Sequence, residues 1–300
     1  PQADTEKKMM IEVGKNHTLE IVKHVDFGVY LLSDEEEILL PGKYLPKDET
    51  LWEVGKFIDV FIYLDSEDRP IATTEIPFAK VGEAVFLTVV GQSQFGSFVD
   101  WGLTKDLLVP FKEQRVPMEL GRSYVVYIFI DKTERIAATS RLSRFLNEEN
   151  DVAFEIRQEV DLLICSRSDL GFKAVVNGTH LGLIHSNEIV RPIKVGDTFK
   201  GYIGEPREDK RINITLQKMS YEVRDELAEK ILKHLSEHGG KTHLTDKSSP
   251  TEIYEVFHVS KSNFKKSLGK LFKQEKITFH EKSVRLTVSS DGVLPETNHH

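Results

Sequence analysis

One pattern, written three times, constrains this chain more than any other feature. Short apolar segments marked by glycines recur at a spacing of roughly 70 residues. The first copy opens at Val13-Gly14, runs through Phe27-Gly28-Val29-Tyr30 and Val54-Gly55, and closes on Asp65 and Arg69. The second opens at Val81-Gly82, passes Phe95-Gly96-Ser97-Phe98 and Leu120-Gly121, and closes on Asp131 and Arg135. The third is degenerate: Leu170-Gly171-Phe172, Gly182-Leu183-Ile184-His185, Val195-Gly196, then Arg211 before Ile212-Asn213-Ile214.

Each copy reads as five short strands. Phe57–Leu64, Phe86–Val90 and Tyr124–Ile130 are rich in Val, Ile, Phe and Tyr and are bounded by Gly or charged turns. So small a sheet must protect its edges, and closing into a five-stranded barrel does so. The connectors near Ile76–Lys80 and Ser143–Asp151 are short and hold no Gly/Ser-rich stretch, which predicts a compact row of barrels.

After Leu216 the period changes. Val223, Leu227, Ile231 and Leu235 recur at helical spacing within Ser220–His238, and Gly239-Gly240 ends the run. Pro250–Phe257 fits a second helix. Ser260 caps a third, with Phe264, Leu268, Leu271 and Phe272 inward and Lys261, Lys265, Lys266, Lys270 and Lys273 outward or flanking. Ile277–Phe279 and Val284–Val288, turning through Glu281-Lys282-Ser283, form a hairpin, and three helices with a terminal hairpin make a winged helix-turn-helix.

The expected fold is multidomain and mainly β. Three five-stranded OB-type barrels over 11–75, 80–142 and 150–218 precede an α+β winged helix over 219–290. Residues 1–10 and 291–300 are expected to be disordered or tag-derived. Met9 and Met10 are both candidate starts, and the chain ends on His299 and His300.

These repeats resemble S1 domains, the RNA-binding OB-folds named after a ribosomal protein. The resemblance rests on the Phe-Gly-x-Phe/Tyr strand, the Gly-Leu-Ile-His segment and the closing Asp-x-x-x-Arg. Three such domains followed by a winged helix resemble the conserved virulence factor B family of bacterial regulatory RNA-binding proteins, over essentially the whole chain after Met10. The likeness implies a binding face of two aromatics, a His, an Asp and an Arg. The aromatic positions correspond to Phe27 and Tyr30, then Phe95 and Phe98; the Asp/Arg positions to Asp65 with Arg69, then Asp131 with Arg135. The His position is Pro41 in the first copy and Pro110 in the second. The third copy keeps His185 and Arg211 but has Leu170 and Lys173 at the aromatic positions and Arg207 at the acidic one. No single copy carries the full set, which favours RNA lying across several.

The chemistry suits a single strand. An exposed ring accepts the face of any base, each stack contributing roughly 1–3 kcal/mol. Strand alternation would put positions i and i+3 on opposite faces, so Gly28 or Gly96 is expected to admit a bulge that turns both rings outward. Arg69 and Arg135 would meet phosphates or stack on bases, each guanidinium fixed by its acidic partner; His185 would stack or donate a hydrogen bond. Structural roles compete with these. The four rings suit a barrel core, the Asp/Arg pairs suit turn salt bridges, His185 suits a strand end, and the lysine-rich helix suits a solvated face.

A net charge of −8 argues against a nucleic-acid partner only until its distribution is considered. Lys261–Arg285 carries +6, leaving −14 on the rest, a basic end on an acidic body. Cys165 is the single cysteine, which excludes an internal disulfide and a cysteine-rich zinc site and fits a reducing cytosol. The longest apolar run, Val125–Ile130, reads as a buried strand, and no charged-then-apolar leader opens the chain, so a cytoplasmic location without membrane partners is expected.

Catalytic signals are weak. His234-Leu235-Ser236-Glu237-His238 matches the His-x-x-Glu-His of inverted zinc peptidases, but its helix ends at once in Gly239-Gly240 and no downstream Glu ligand on a long helix follows. No phosphate-cradling loop, nucleophile elbow or clustered two-metal nuclease set is present, so no cofactor or metal is expected. The sequence therefore predicts a non-enzymatic, post-transcriptional or virulence regulator that binds single-stranded RNA such as mRNA, with the ribosome or RNA-processing machinery as further candidate partners. Alternatives are a regulator whose winged helix reads DNA and an interaction scaffold on ribosome or polymerase.

Overall fold

Alternation builds the first barrel. In β1 (Asn16–Val25), Leu19 and Ile21 are buried while Thr18 and Lys23 are exposed. With β2 (Gly28–Leu32), β3 (Glu37–Pro41), β4 (Phe57–Leu64) and β5 (Pro70–Thr73) it closes in the order β1-β2-β3-β5-β4. The computed structural model describes residues 10–34, 36–151, 153–217 and 221–287, without the side chains of 221 and 222. Apart from Met10, the ends expected to be disordered lie outside the described residues, as does Val288.

The second barrel repeats the topology with β6 (Ala84–Gln92), β7 (Gly96–Val99), β8 (Leu107–Pro110), β9 (Ser123–Ile130) and β10 (Ile136–Thr139). Its order is β10-β9-β6-β7-β8, with β8 lying alongside β10. The third closes from β11 (Glu159–Ser168), β12 (Gly171–Val176), β13 (His180–His185), β14 (Thr198–Ile203) and β15 (Ile212–Thr215).

The repeated glycine has one steric job. Gly28, Gly96 and Gly171 have φ of +155°, +158° and +144°, and a Cβ there would lie 2.2, 2.2 and 2.0 Å from the carbonyl oxygens of Leu40, Val109 and Ile184. The backbones of the second and third strands cross too closely for any side chain. The bulge expected at Gly28 and Gly96 is not there, since each second strand pairs with its third through these glycines without a register shift. The register instead shifts in the opposing first strand, between Ile21 and Lys23 and between Val89 and Gly91. The third barrel shifts at the matching place, between Ile164 and Ser166.

Chain contacts divide the protein after Leu146, and each unit is built around its own interior. In the first, β4 serves two cores at once. Ile58, Val60 and Ile62 fill the first barrel, while Phe61 and Tyr63 join the second barrel's cluster with Leu87, Val99, Trp101 and Leu107. The Phe61 and Trp101 rings meet edge to face, 5.5 Å between centroids. Lys105 Nζ also donates to the Leu64 and Asp65 carbonyl oxygens, at 2.9 and 3.1 Å.

In the second unit, α1 (Tyr221–Glu237), α2 (Pro250–Phe257) and α3 (Lys261–Lys273) surround a core of Leu227, Ile231, Leu235, Ile253, Phe257, Phe264 and Leu268. Ser249 and Glu252 form a capping box that spans Pro250, and Ser260 Oγ accepts from the Asn263 N–H at 3.2 Å. The wing pairs β17 (Ile277–His280) with β18 (Ser283–Leu286) through a turn at Glu281-Lys282, so Ser283 belongs to the strand rather than to the turn. A third strand, β16 (Lys241–Thr242), adds to β18 and was not expected; two residues are too few for a periodic signal. Phe272, expected inward, is 51% exposed, its ring 5.1 Å from Phe279 of the wing, and Val223, one turn before the packed stripe of α1, is 38% exposed.

Polar contacts join the end of the third barrel to the start of α3. Gln217 Oε1 accepts from the Ser260 N–H at 3.1 Å and from Asn263 Nδ2 at 3.3 Å, and its Nε2 donates to the His258 carbonyl at 3.2 Å. Glu188, 8% exposed, lies in the short 3-10 turn Ser186–Glu188 that packs on α3. Burial pushes its carboxyl above the usual range, against the Ser262 hydroxyl, the Lys266 ammonium and the His185 ring, which pull it down.

Two predictions follow from this packing. Replacing Phe61 with Ala should lower the stability of the full chain by about 3–5 kcal/mol in denaturant unfolding, because the ring fills the second barrel's core from the first barrel's strand. A loss below about 1 kcal/mol would show that the shared core is not needed. For Glu188, a folded pKa above the unfolded value favours the protonated form. Its contribution is then best below the ordinary carboxylate pKa of about 4.3 and is lost as pH rises through the folded value. Glu188→Gln should therefore melt with the wild type at about pH 4 and above it at about pH 7. A variant less stable at neutral pH would contradict this.

Candidate nucleic-acid interface

On each barrel the glycine and the shifted first strand set one outward face. In the first barrel Phe27 sits in the β1–β2 turn, 59% exposed, and is not a strand residue at all. Tyr30 follows on β2 between the buried Val29 and Leu31, opposite Lys23 and Leu39, and Leu39 pairs with Ile71. Lys23 Nζ lies 5.5 Å from the Tyr30 ring centre. Neither ring belongs to the barrel core. Arg69 is held to Asp65 at 2.9 Å and to Glu67 at 3.2 Å, with its side chain 67% exposed.

The second barrel repeats this face with one difference. Phe95 is 65% exposed in its turn, and Phe98 is half-buried opposite Gly91 and Leu108. Asp131 Oδ1 accepts from the Arg135 backbone N–H at 3.2 Å and caps the turn with Thr133. The Arg135 guanidinium, expected on Asp131, instead pairs with Asp68 of the first barrel at 2.5 Å. Backbone amides occupy one oxygen of Asp131 just as they do in Asp65, so the difference lies in Asp68, which stands within reach of Arg135. Phe98, Leu108, Pro110, Ile136, Asp68 and Arg135 line a cleft of about 400 Å³ between these two barrels.

The third barrel offers different chemistry. The pairings of Gly28 with Pro41, Gly96 with Pro110 and Gly171 with His185 place the three residues at one equivalent position. His185 Nε2 lies 3.3 Å from Asn213 Oδ1. His185, Asn213, Asn187 and Glu188 of the barrel meet Ser262, Lys265 and Lys266 of α3 around a cleft of about 430 Å³. Three residues selected from sequence, over 80 positions apart at the extremes, thus line one surface. Lys265 and Lys266 are exposed and enter no ion pair within 4 Å among the described residues.

Other selected residues are placed elsewhere. Lys270 pairs with Asp225 of α1, its side chain still partly exposed. Lys261 is half-buried at the start of α3 and lies outside the cleft lining. Arg211 pairs with Glu148 at 3.7 Å.

An exposed ring beside Phe95 was missed. Phe111, 56% exposed, donates its backbone N–H to the Phe95 carbonyl at 3.2 Å and so stands beside that ring. The equivalent bonds in the other barrels come from Gly42 and Ser186, so the repeat gives no signal for an aromatic there.

The His-x-x-Glu-His segment does not form an open metal site. The His234 and His238 rings stack at 4.1 Å; His238 Nδ1 lies 2.7 Å from the His234 carbonyl and His234 Nε2 3.4 Å from Thr242 Oγ1. No group of three or more His, Cys, Asp or Glu poised for a metal occurs among the described residues. None of the described helices is long and apolar enough to cross a membrane.

Comparison with known proteins agrees with this architecture. Residues 13–75 match the S1 domain model and residues 229–286 the CvfB-like winged helix domain. "Uncharacterized protein YitL" of Bacillus subtilis is 30% identical over 276 residues, 88% of this chain and 90% of its own length. "Conserved virulence factor B" of Staphylococcus saprophyticus is 26% identical over 297 residues, 93% of this chain and 96% of its own. A crystal structure from Streptococcus pneumoniae, described as a multidomain protein with nucleic acid binding domains, is 24% identical across 91% of this chain and 98% of its own. Its TM-score of 0.39 is too low for the superposition to bear on the fold. S1 and winged-helix domains are nucleic-acid-binding types, and their combination here, with relatives matched nearly end to end, places the chain in the conserved virulence factor B family.

Proposed function

We propose that this chain binds single-stranded RNA without altering it chemically, as a cytoplasmic post-transcriptional regulator. The observation that carries this reading is the cleft in which His185 and Asn213 of the third barrel face Lys265 and Lys266 of α3. A ring and an amide suited to an unstacked base lie beside two ammonium groups suited to phosphate. Phe27, Tyr30 and Arg69 on the first barrel, and Phe95, Phe98 and Arg135 on the second, add stacking rings beside a guanidinium. The relatives named for virulence support a regulatory role.

Reading of duplex DNA by the winged helix is disfavoured by one feature. A recognition helix contacts base edges through its N-terminal residues. Here Ser260 and Asn263 are 1% and 5% exposed, and Gln217 holds both, so these two residues at that end of α3 face protein.

Fluorescence anisotropy at fixed salt, with single-stranded RNA, single-stranded DNA and duplex DNA of one sequence, tests the reading. RNA should bind tightest; preference for the duplex would overturn the proposal. Changing Lys265 and Lys266 together to Gln should reduce the log–log salt slope by about 1.4, at about 0.7 per phosphate contact. An unchanged slope would leave α3 as a solvated surface. Phe95→Ala, at an exposed turn, should keep the melting temperature and weaken RNA binding by about 1–3 kcal/mol.

A further inference from the structure

The third barrel departs from the other two at the centre of its outward face. Pairing opposite the shifted first strand and the third strand places Lys173 where the first barrel has Tyr30 and the second has Phe98. An ammonium in that position cannot stack on a base as a ring does; its natural partner is an anion. It already has one.

Glu148, from the segment leading into this barrel, places Oε1 3.6 Å from Lys173 Nζ and Oε2 3.7 Å from an Arg211 guanidinium nitrogen. Each carboxylate oxygen faces a different cation. The two non-bridging oxygens of a phosphodiester, which carries the same single charge, reproduce that bridging arrangement.

Backbone bonds hold the segment in place. Asn147 donates to the Thr179 carbonyl at 3.1 Å and accepts from Leu181 at 2.8 Å, while Asn150 donates to the Lys210 carbonyl at 2.9 Å. The ion pairs themselves are long and partly exposed, so the carboxylate is weakly retained. A polyanion presenting many phosphates can displace it. The position also continues the cleft described above, since Lys173 pairs with Leu183 and Leu183 with Asn213, which lines that cleft.

We propose that Lys173 and Arg211 form a phosphodiester subsite on the third barrel, and that Glu148 occupies it in the free protein as an internal stand-in for phosphate. The ligand class rests on the RNA-binding reading; the existence of the anion subsite does not. A strand using this barrel must displace the Glu148 carboxylate, so the segment before the barrel sets its affinity.

Glu148→Gln keeps the side chain's shape and removes its charge. Glu149→Gln, at an exposed neighbour with no ion pair among the described residues, makes the same change in net charge. Each full-length variant is titrated with labelled single-stranded RNA and, separately, with inorganic polyphosphate, which has the charge but no bases. Glu148→Gln should bind both probes several-fold tighter than wild type, with a salt slope for RNA steeper by about 0.7 per phosphate gained. Glu149→Gln should gain less on both. Adding Lys173→Gln and Arg211→Gln should cancel the gain of Glu148→Gln on both probes.

Equal behaviour of Glu148→Gln and Glu149→Gln on both probes overturns the proposal, as does a gain that survives loss of both cations. If polyphosphate shows the expected pattern and no variant binds RNA, the anion subsite stands and the RNA reading falls. If wild type binds RNA and Glu148→Gln adds nothing to either probe, the RNA reading stands and this subsite falls.

Discussion

The close crossing of the second and third strands in each barrel is the contact from which the binding faces follow. With a carbonyl oxygen 2.0–2.2 Å from where a Cβ would sit, only glycine fits, and it fits at a φ that side chains rarely adopt. The residue before that glycine is left in an exposed turn, and the residue two places after it is half-buried, between two buried neighbours in the first two barrels and beside the buried Ala174 in the third. The shift in the first strand lets that strand follow the bend. Phe27 with Tyr30, Phe95 with Phe98, and Leu170 with Lys173 are all placed by this one local geometry.

Backbones of one topology then carry different surfaces. The first two barrels present rings, while the third presents a histidine, an amide and a lysine beside the basic helix. The acidic body arranges the cations that lie upon it. Asp65 holds Arg69, Asp68 holds Arg135, Asp225 holds Lys270, and Glu148 lies between Lys173 and Arg211. Exposed pairs of this kind add little stability, but they fix where a guanidinium or ammonium stands. Lys265 and Lys266, in no ion pair within 4 Å among the described residues, stand exposed to an incoming anion.

Much of the fold was legible because it depends on local rules. The repeated glycines, period-two strands, the Ser260 cap and the Gly239-Gly240 stop each act over a few residues. What escaped depends on partners distant in sequence. Arg135 reaches Asp68 in another barrel, Lys270 reaches Asp225 in another helix, and Gln217 buries the start of α3; no spacing within a repeat encodes these. Phe111 escaped for the opposite reason, since its equivalents Gly42 and Ser186 share no chemistry with it. The cleft at His185, Lys265 and Lys266 joins residues chosen separately, and only the packing of α3 on the third barrel brings them together.

Photocrosslinking tests the central claim most directly. A single-stranded RNA carrying a photoreactive uridine at successive positions is bound to the intact chain, irradiated, and the attached peptides are identified by mass spectrometry. The account predicts attachment at the turns holding Phe27 and Phe95 and around His185 and Lys265, with register moving as the photoreactive base moves. Attachment confined to the wing at Lys282 and Arg285, with none on any barrel face, would contradict it.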